Sequence, residues 1–345
     1  MVDRTDQHRA HEGKEPFWRC PEPKQLPELR GKLSDWLAEQ GKAFYMGALQ
    51  VGTQQIRPPG PLPTSALQLA NDEHRRVTGG DLYWVSQEMT ELAQHAGRQF
   101  RHHELYEHDL PSRTGFMIFQ TPLAATDQTG ITLEIVAVSW GIVSPRLLLC
   151  TRQGEIPIGD DWANAAAVWF TFYSHPETFL AANVPPSPSA DDPRALLKQY
   201  VGPFMPDNEL IWPLGQPEDL PEPKDTTGAW GQTVVAAWLL MRQPLATRSS
   251  ERPPRPARRR LQRAGLPSGD IQLIHIRRPQ RRPNVRHPQP GRRDYSVRWW
   301  VEGHWRRYHT GPGRTRLERR WINPYLAGPD DKPIRGAHRV KVWDR

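Results

Sequence analysis

Residues 295 to 311 read YSVRWWVEGHWRRYHTG and place three tryptophans, two histidines and three arginines in seventeen positions. Two kinds of chemistry draw on such residues. Guanidinium groups offer phosphates a bidentate partner, and indole or phenol rings offer bases a plane to stack on, so the stretch holds the parts of a nucleic-acid surface. A metal-independent RNase needs imidazoles as general base and acid, with cations around the scissile phosphate. His304 and His309 with Arg306 are the candidates for that alternative.

Side chains alternate along a strand. Read as one long strand, the stretch puts Val297, Trp299, Val301 and Trp305 on an apolar face, expected to be core. Arg298, Trp300, His304, Arg306 and Tyr308 then share a basic, aromatic face, the expected binding surface. The following TGPGRTR is a turn that carries Arg314 and Arg316 to a hairpin tip, from which a β-ribbon can enter a groove. With Arg307, and with Arg258, Arg259 and Arg260 upstream, these residues form the predicted nucleic-acid-binding set. On an unbroken strand His304 and His309 face opposite sides, so the RNase alternative needs a bulge or the turn to redirect one of them.

Other segments lack catalytic spacing. A zinc-binding His-Glu-x-x-His helix sets its imidazoles one turn apart. In RHHELYEHDL, His103 and His108 stand five positions apart, so the segment reads as solvated polar chain and no metal site is expected. Ser139 and Ser144 lack the Gly-x-Ser-x-Gly frame of a nucleophile elbow, and no glycine-rich loop precedes a Lys-Ser/Thr pair. Cys150, inside RLLLCTRQ, reads as a buried strand residue rather than a thiolate nucleophile. No cofactor is expected, and the chain reads as a binder rather than an enzyme.

The elements that must position these residues follow an α+β pattern: an N-terminal mixed domain with an antiparallel sheet and flanking helices, then a small C-terminal antiparallel β-rich module. Residues 1–22 are polar and read as a disordered tail. PELRGKLSDWLAEQ carries Leu29, Leu33, Trp36 and Leu37 at helical spacing with Gly41 as its stop, and RPPGPLPTS reads as a connection. DLYWVS is a short strand whose Ser86 caps a helix over QEMTELAQHAGRQF. GFMIFQTPL, ITLEIVAVSWGIV, RLLLCTRQ and AAAVWFTFYSH are predicted as successive antiparallel strands, the last also compatible with a buried helix. Helices are expected around Arg194 to Val201 and from Thr227 to Arg242. An acidic α+β domain thus spans 23–248. A basic proline and arginine linker, with a turn or two of helix in ARRRLQRAG, covers 249–269. The basic module at 270–345 takes its strands from IQLIHIRRP, the 295–311 stretch, ERRWINPYL and HRVKVW.

At 345 residues the chain can bury a core and form about two folding units. Its 36 prolines and a mean hydropathy of −0.72 assign part of it to linker or tail, while fourteen tryptophans argue against wholesale disorder. The formal charge of +8 divides unevenly: residues 242–345 hold 27 Lys+Arg against 8 Asp+Glu, a net +19, which leaves −11 for residues 1–241. Such asymmetry implies that the basic part meets a polyanion while the acidic part regulates it or recruits a protein partner. Cys20 and Cys150 form neither a metal-ligand spacing nor a disulfide framework, and the N-terminus has no apolar core region. A cytoplasmic protein without membrane contact is expected.

IQLIHIRRP, VEGHWRR, WINPYLAGPDDKP and RVKVWDR resemble the C-terminal segment of a group of uncharacterised proteins from the accessory genomes and phages of high-GC bacteria. DLYWVSQEM and DLPSRTGFMIFQTPL resemble that group's N-terminal half. The resemblance implies a mobile-element or defence context and no catalytic residue. Glu302 departs from the basic residue expected there, which argues against a polyanion-facing role for this position. The resulting expectation is a nucleic-acid-binding protein, of DNA or RNA, acting through its basic C-terminal module. The alternatives are the RNase above and a protein-interaction module with no nucleic-acid role.

Overall fold

Apolar runs such as Leu82 to Val85 and Ala167 to Ser174, buried at every position, form a seven-stranded mixed sheet with helices on both faces. The computed structural model describes residues 18–52, 57–100, 102–126, 132–144, 150–151, 154–155, 166–184, 193–215, 217–219, 226–263, 265, 269–276, 296–297 and 299–327. The helices are α1 (Leu26–Val51), α2 (Leu62–Gly79), α3 (Gln87–Gly97), α4 (Pro176–Asn183), α5 (Thr226–Met241) and α6 (Arg255–Arg263). The first eight strands are β1 (Asp81–Val85), β2 (His102–Glu104), β3 (Thr114–Thr126), β4 (Thr132–Val143), β5 (Cys150–Thr151), β6 (Gly154–Glu155), β7 (Ala167–Ser174) and β8 (Met205–Pro213). They are followed by β9 (Pro217–Asp219), β10 (Ala246–Glu251), β11 (Ile271–Ile276), β12 (Trp299–Val301), β13 (His304–Thr310), β14 (Arg316–Ile322) and β15 (Tyr325–Ala327).

The central sheet runs β10-β11-β1-β3-β4-β7-β8, with β1 parallel to both neighbours and the remaining pairs antiparallel. The fold is therefore α+β, with small antiparallel pairs, β12 with β15 and β13 with β14, near the C-terminus. Leu82, Trp84, Phe116, Ile118, Trp169 and Tyr173 turn to one face, against α1, α2 and α4. Tyr83, Val85, Met117, Phe119, Val168, Phe170 and Phe172 turn to the other, against α3 and α5. Helix α5 is apolar all round because it is buried all round: Val234 to Met241 are at most 7 % exposed, and Trp238 meets Phe170 at 5.3 Å and Trp140 at 5.0 Å. Among the described residues no helix is long and apolar enough to cross a membrane.

Several elements depart from the sequence-based reading. Gly41 does not end α1. A Cβ there would lie 3.2 Å from the Ala70 Cβ, so this glycine lets α1 and α2 approach, and the helix stops at Gly52 with φ 81°. Helix α2 has no clear signal in the sequence, because Glu73 and Arg76 interrupt its apolar stripe; both are buried. Tyr45 donates to the Glu73 carboxylate, while Arg76 donates to Thr171 Oγ1 at 2.9 Å and Ser139 Oγ at 3.3 Å and lies 4.1 Å from the Trp169 ring centroid. Ser139 is thus a sealed partner of Arg76 and of the Tyr173 hydroxyl, 2.9 Å away. The helix expected near Arg194 to Val201 is a 3₁₀ turn, Pro193–Gln199. Of RLLLCTRQ, Cys150 and Thr151 form β5 against β6, while its other residues, HRVKVW and residues 1–17 lie outside the described residues.

The charge change near 248 is not a break in the sheet. Strand β10 straddles it, and β11, the head of the expected basic module, is an interior strand between β10 and β1 with Ile271 and Ile274 fully buried. Between them α6 rests on α1, with Leu261 buried and Arg260 paired with Glu28 at 2.9 Å.

Candidate nucleic-acid interface

The stretch expected as one long strand is two. It breaks at Glu302 and Gly303, so β12 pairs with β15 while β13 pairs with β14. Gly303 is buried, and a Cβ on it would sit 2.4 Å from Trp321 Cζ2; its carbonyl accepts from Gln99 Nε2 at 2.6 Å. Immediately beyond, Trp305 and Trp321 stand opposite each other across the hairpin with ring centroids 5.3 Å apart. The Trp305 indole N–H donates to the Ala96 carbonyl at 3.0 Å, and its ring stacks on Phe100 at 5.2 Å. The Trp321 backbone N–H donates to Gln243 Oε1 at 2.8 Å, and its ring meets His95 edge-on at 5.9 Å. The two tryptophans fasten the hairpin base to the ends of α3 and α5, leaving the rest of the ribbon to project.

Cross-strand partners share a face, so the register fixes the chemistry of each side. His304, Arg306 and Tyr308 lie with Ile322, Arg320 and Glu318 on one side. Trp305, Arg307 and His309 lie with Trp321, Arg319 and Leu317 on the other. Two consecutive rungs are therefore Arg306↔Arg320 and Arg307↔Arg319. The guanidinium carbons of Arg306 and Arg320 lie 5.2 Å and 5.4 Å from the Tyr308 ring centroid, so this ring holds two cations rather than offering a free plane to a base. Arg320 also meets Glu318 at 3.1 Å; that bond first, then one from Thr310, holds the Glu318 carboxyl below its ordinary range. Partial burial lowers the Arg319 guanidinium from its usual value.

At the tip, Gly311 and Gly313 take φ values of 79° and 66°, and Arg314 takes 55°, the one non-glycine residue with positive φ among the described residues. The left-handed region disfavours a residue with a Cβ. The Arg314 N–H is nonetheless held by the Gly311 carbonyl at 3.0 Å, and its side chain is exposed.

The predicted residues are only partly assembled. His304, Arg306 and Tyr308 share a face, with Arg307 on the opposite one and Arg314 at the tip. Arg316 closes the ladder opposite Thr310, and Trp300 pairs with Leu326 in the separate β12–β15 ribbon. Arg298 lies outside the described residues. Arg258, Arg259 and Arg260 are on α6, whose neighbour α1 covers the sheet face opposite to the one that carries the hairpin, so the two arginine groups do not form one surface. His304 and His309 fall on opposite faces of an unbroken β13, so the acid–base pair of the RNase alternative is not brought together. Arg319 and Arg320 are absent from the predicted set; pairing the strands across the TGPGRT turn would have found them, since the turn sets which residues oppose Arg306 and Arg307. His103 lies in β2 and His108 in a 3₁₀ turn, its ring stacked on Tyr106 at 5.4 Å. Among the described residues no group of three or more His, Cys, Asp or Glu could hold a metal ion.

No family model matches the chain, and no curated protein matches it. Among solved structures, the crystal structure of AcrVA2 is similar over 94 % of this chain and 91 % of its own, at 12 % identity and a TM-score of 0.37. A likeness at that level assigns no function.

Proposed function

We propose that the protein binds nucleic acid through the projecting β13–β14 hairpin. The observation that carries this reading is the pair of successive Arg–Arg rungs, Arg306↔Arg320 and Arg307↔Arg319. Like charges directly opposite each other destabilise a ribbon; the Tyr308 ring and Glu318 offset this at Arg306↔Arg320, and the Arg307↔Arg319 rung lies on the other face, away from both. A local conflict kept in a fold favours a partner of opposite charge at that place. From His304 to Ile322 the hairpin holds six arginines and one glutamate, a formal +5. Phosphodiesters are the polyanion that guanidinium groups engage best, and a ribbon with arginines on both faces suits a groove whose two walls are both phosphate backbones. The mobile-element or defence setting belongs to the same proposal and rests on the sequence resemblance alone.

The test is fluorescence anisotropy of the full chain with labelled single- and double-stranded DNA and RNA. Binding at low salt to at least one of the four, weakened on the order of tenfold by Arg306→Gln with Arg320→Gln, is the expected result. Equal affinity in this variant would take the hairpin out of the interface.

A further inference from the structure

On the α1 side of the molecule a second basic feature has a different shape. Helix α6 belongs to a stretch, residues 252–263, with six arginines and no acidic residue. Its inner side is fixed: Leu261 is 4 % exposed, and the Arg260–Glu28 pair at 2.9 Å ties the helix to α1. Arg255, Pro256, Arg259 and Arg263 border an open groove of about 360 Å³, which Arg260 also lines while it holds Glu28. Among the described residues Arg255, Arg259 and Arg263 make no ion pair. They recur every four residues, so each guanidinium stem starts about 6 Å further along the same helical face.

We infer that this groove is a binding site for a compact polyphosphate anion, one that carries at least two linked phosphate groups and is recognised by charge alone. Three features lead there. The volume lies in the range of small-ligand sites, roughly 300–1,000 Å³. Among the described residues the lining consists of arginines and one proline, with no aromatic ring on which a base would stack. Several forked donors spaced along one groove match the many oxygens of adjacent phosphates rather than a single monoanion. The inference does not rest on the hairpin reading, because the groove and the hairpin lie on opposite sides of the central sheet.

The experiment titrates the full chain with inorganic triphosphate and, separately, with orthophosphate, by calorimetry at low ionic strength. The variant carries Arg255→Gln, Arg259→Gln and Arg263→Gln, all exposed positions, and keeps Arg258 and the Arg260–Glu28 pair. Triphosphate is expected to bind well ahead of orthophosphate and to lose on the order of tenfold in affinity in this variant, while Arg306→Gln with Arg320→Gln leaves it unchanged. Absence of triphosphate binding, or equal binding by the α6 variant, would overturn the inference. Loss of oligonucleotide affinity in the α6 variant without triphosphate binding to the native chain would also overturn it, assigning the helix to a nucleic-acid strand. If only the hairpin variant fails to alter oligonucleotide binding, the hairpin proposal fails and this one stands.

Discussion

Gly303 shows how much one missing side chain decides. The Cβ of an alanine there would lie 2.4 Å from Trp321 Cζ2 and 3.0 Å from Pro324 Cδ, and the buried Trp321 ring cannot yield without leaving its packing against Trp305 and His95. Overpacking of this kind costs about 1–3 kcal/mol. Gly303→Ala should therefore destabilise the chain by that amount in urea unfolding and loosen the hairpin base, seen as a shift in tryptophan emission; a change within about 0.5 kcal/mol would show the base to be softer than its packing implies. Asp207 makes a different prediction. It is the bulged residue where β8 leaves register with β7, accepts a hydrogen bond from Ser174, and is pushed by burial to about 6. Because the folded-state value is raised, the folded form binds the proton more tightly. The stability from this group is full below about pH 4 and is lost as pH rises through about 6. A shift of that size corresponds to roughly 3 kcal/mol, so the native chain should lose up to that much relative to Asp207→Asn between pH 4 and 7 in urea unfolding. Parallel profiles for the two proteins would contradict the assignment.

The hairpin couples anchoring to exposure at the scale of the element. Its two tryptophans commit the apolar share of the ribbon to α3 and α5, which leaves Arg306, Arg307 and Arg320 exposed and Arg319 half-buried. If the Arg307↔Arg319 rung is kept for a ligand, Arg307→Thr should raise folding stability by roughly 0.2–1 kcal/mol while weakening nucleic-acid binding. A variant that loses both stability and binding would mean the arginine supports the fold. Elements of this kind are unevenly legible. β1, β3, β4, α3 and α5 lie within a few residues of where their apolar runs put them, whereas β7 is buried at every position and its apolar run leaves strand and buried helix both open. Helix α2 escapes because Glu73 and Arg76 occupy its buried stripe, satisfied by Tyr45, Thr171 and Ser139 from elsewhere in the chain. The break at Gly303 escapes because its cause, the Trp321 ring, lies eighteen positions away.

At the scale of the molecule, charge and fold divide the chain differently. The −11 and +19 portions suggest two bodies, yet β11 completes the central sheet from the basic side of that divide. Composition reports what a surface meets, whereas strand pairing follows apolar runs, and IQLIHI is apolar on both faces, with Ile271 and Leu273 on one and Ile274 and Ile276 on the other. The basic part is likewise two surfaces rather than one. The α6 arginines ride on α1 and the hairpin arginines project beyond α3 and α5, on opposite sides of the sheet. Of the predicted binding set, the face shared by His304, Arg306 and Tyr308 is legible from alternation alone, while the Arg–Arg rungs that give it a functional meaning need the register. A fragment starting at 249 would separate β11 from β1 and cut β10 in half, so binding has to be measured on the whole chain.

The most direct measurement is the salt dependence of nucleic-acid affinity for the full chain and for Arg306→Gln with Arg320→Gln, using whichever oligonucleotide the native protein binds at low salt. Taking two guanidinium groups off the phosphates should reduce the slope of log K against log salt by about two and bring the curves together at high salt. Parallel slopes, or no binding to single- or double-stranded DNA or RNA at low salt, would contradict the hairpin as the nucleic-acid surface.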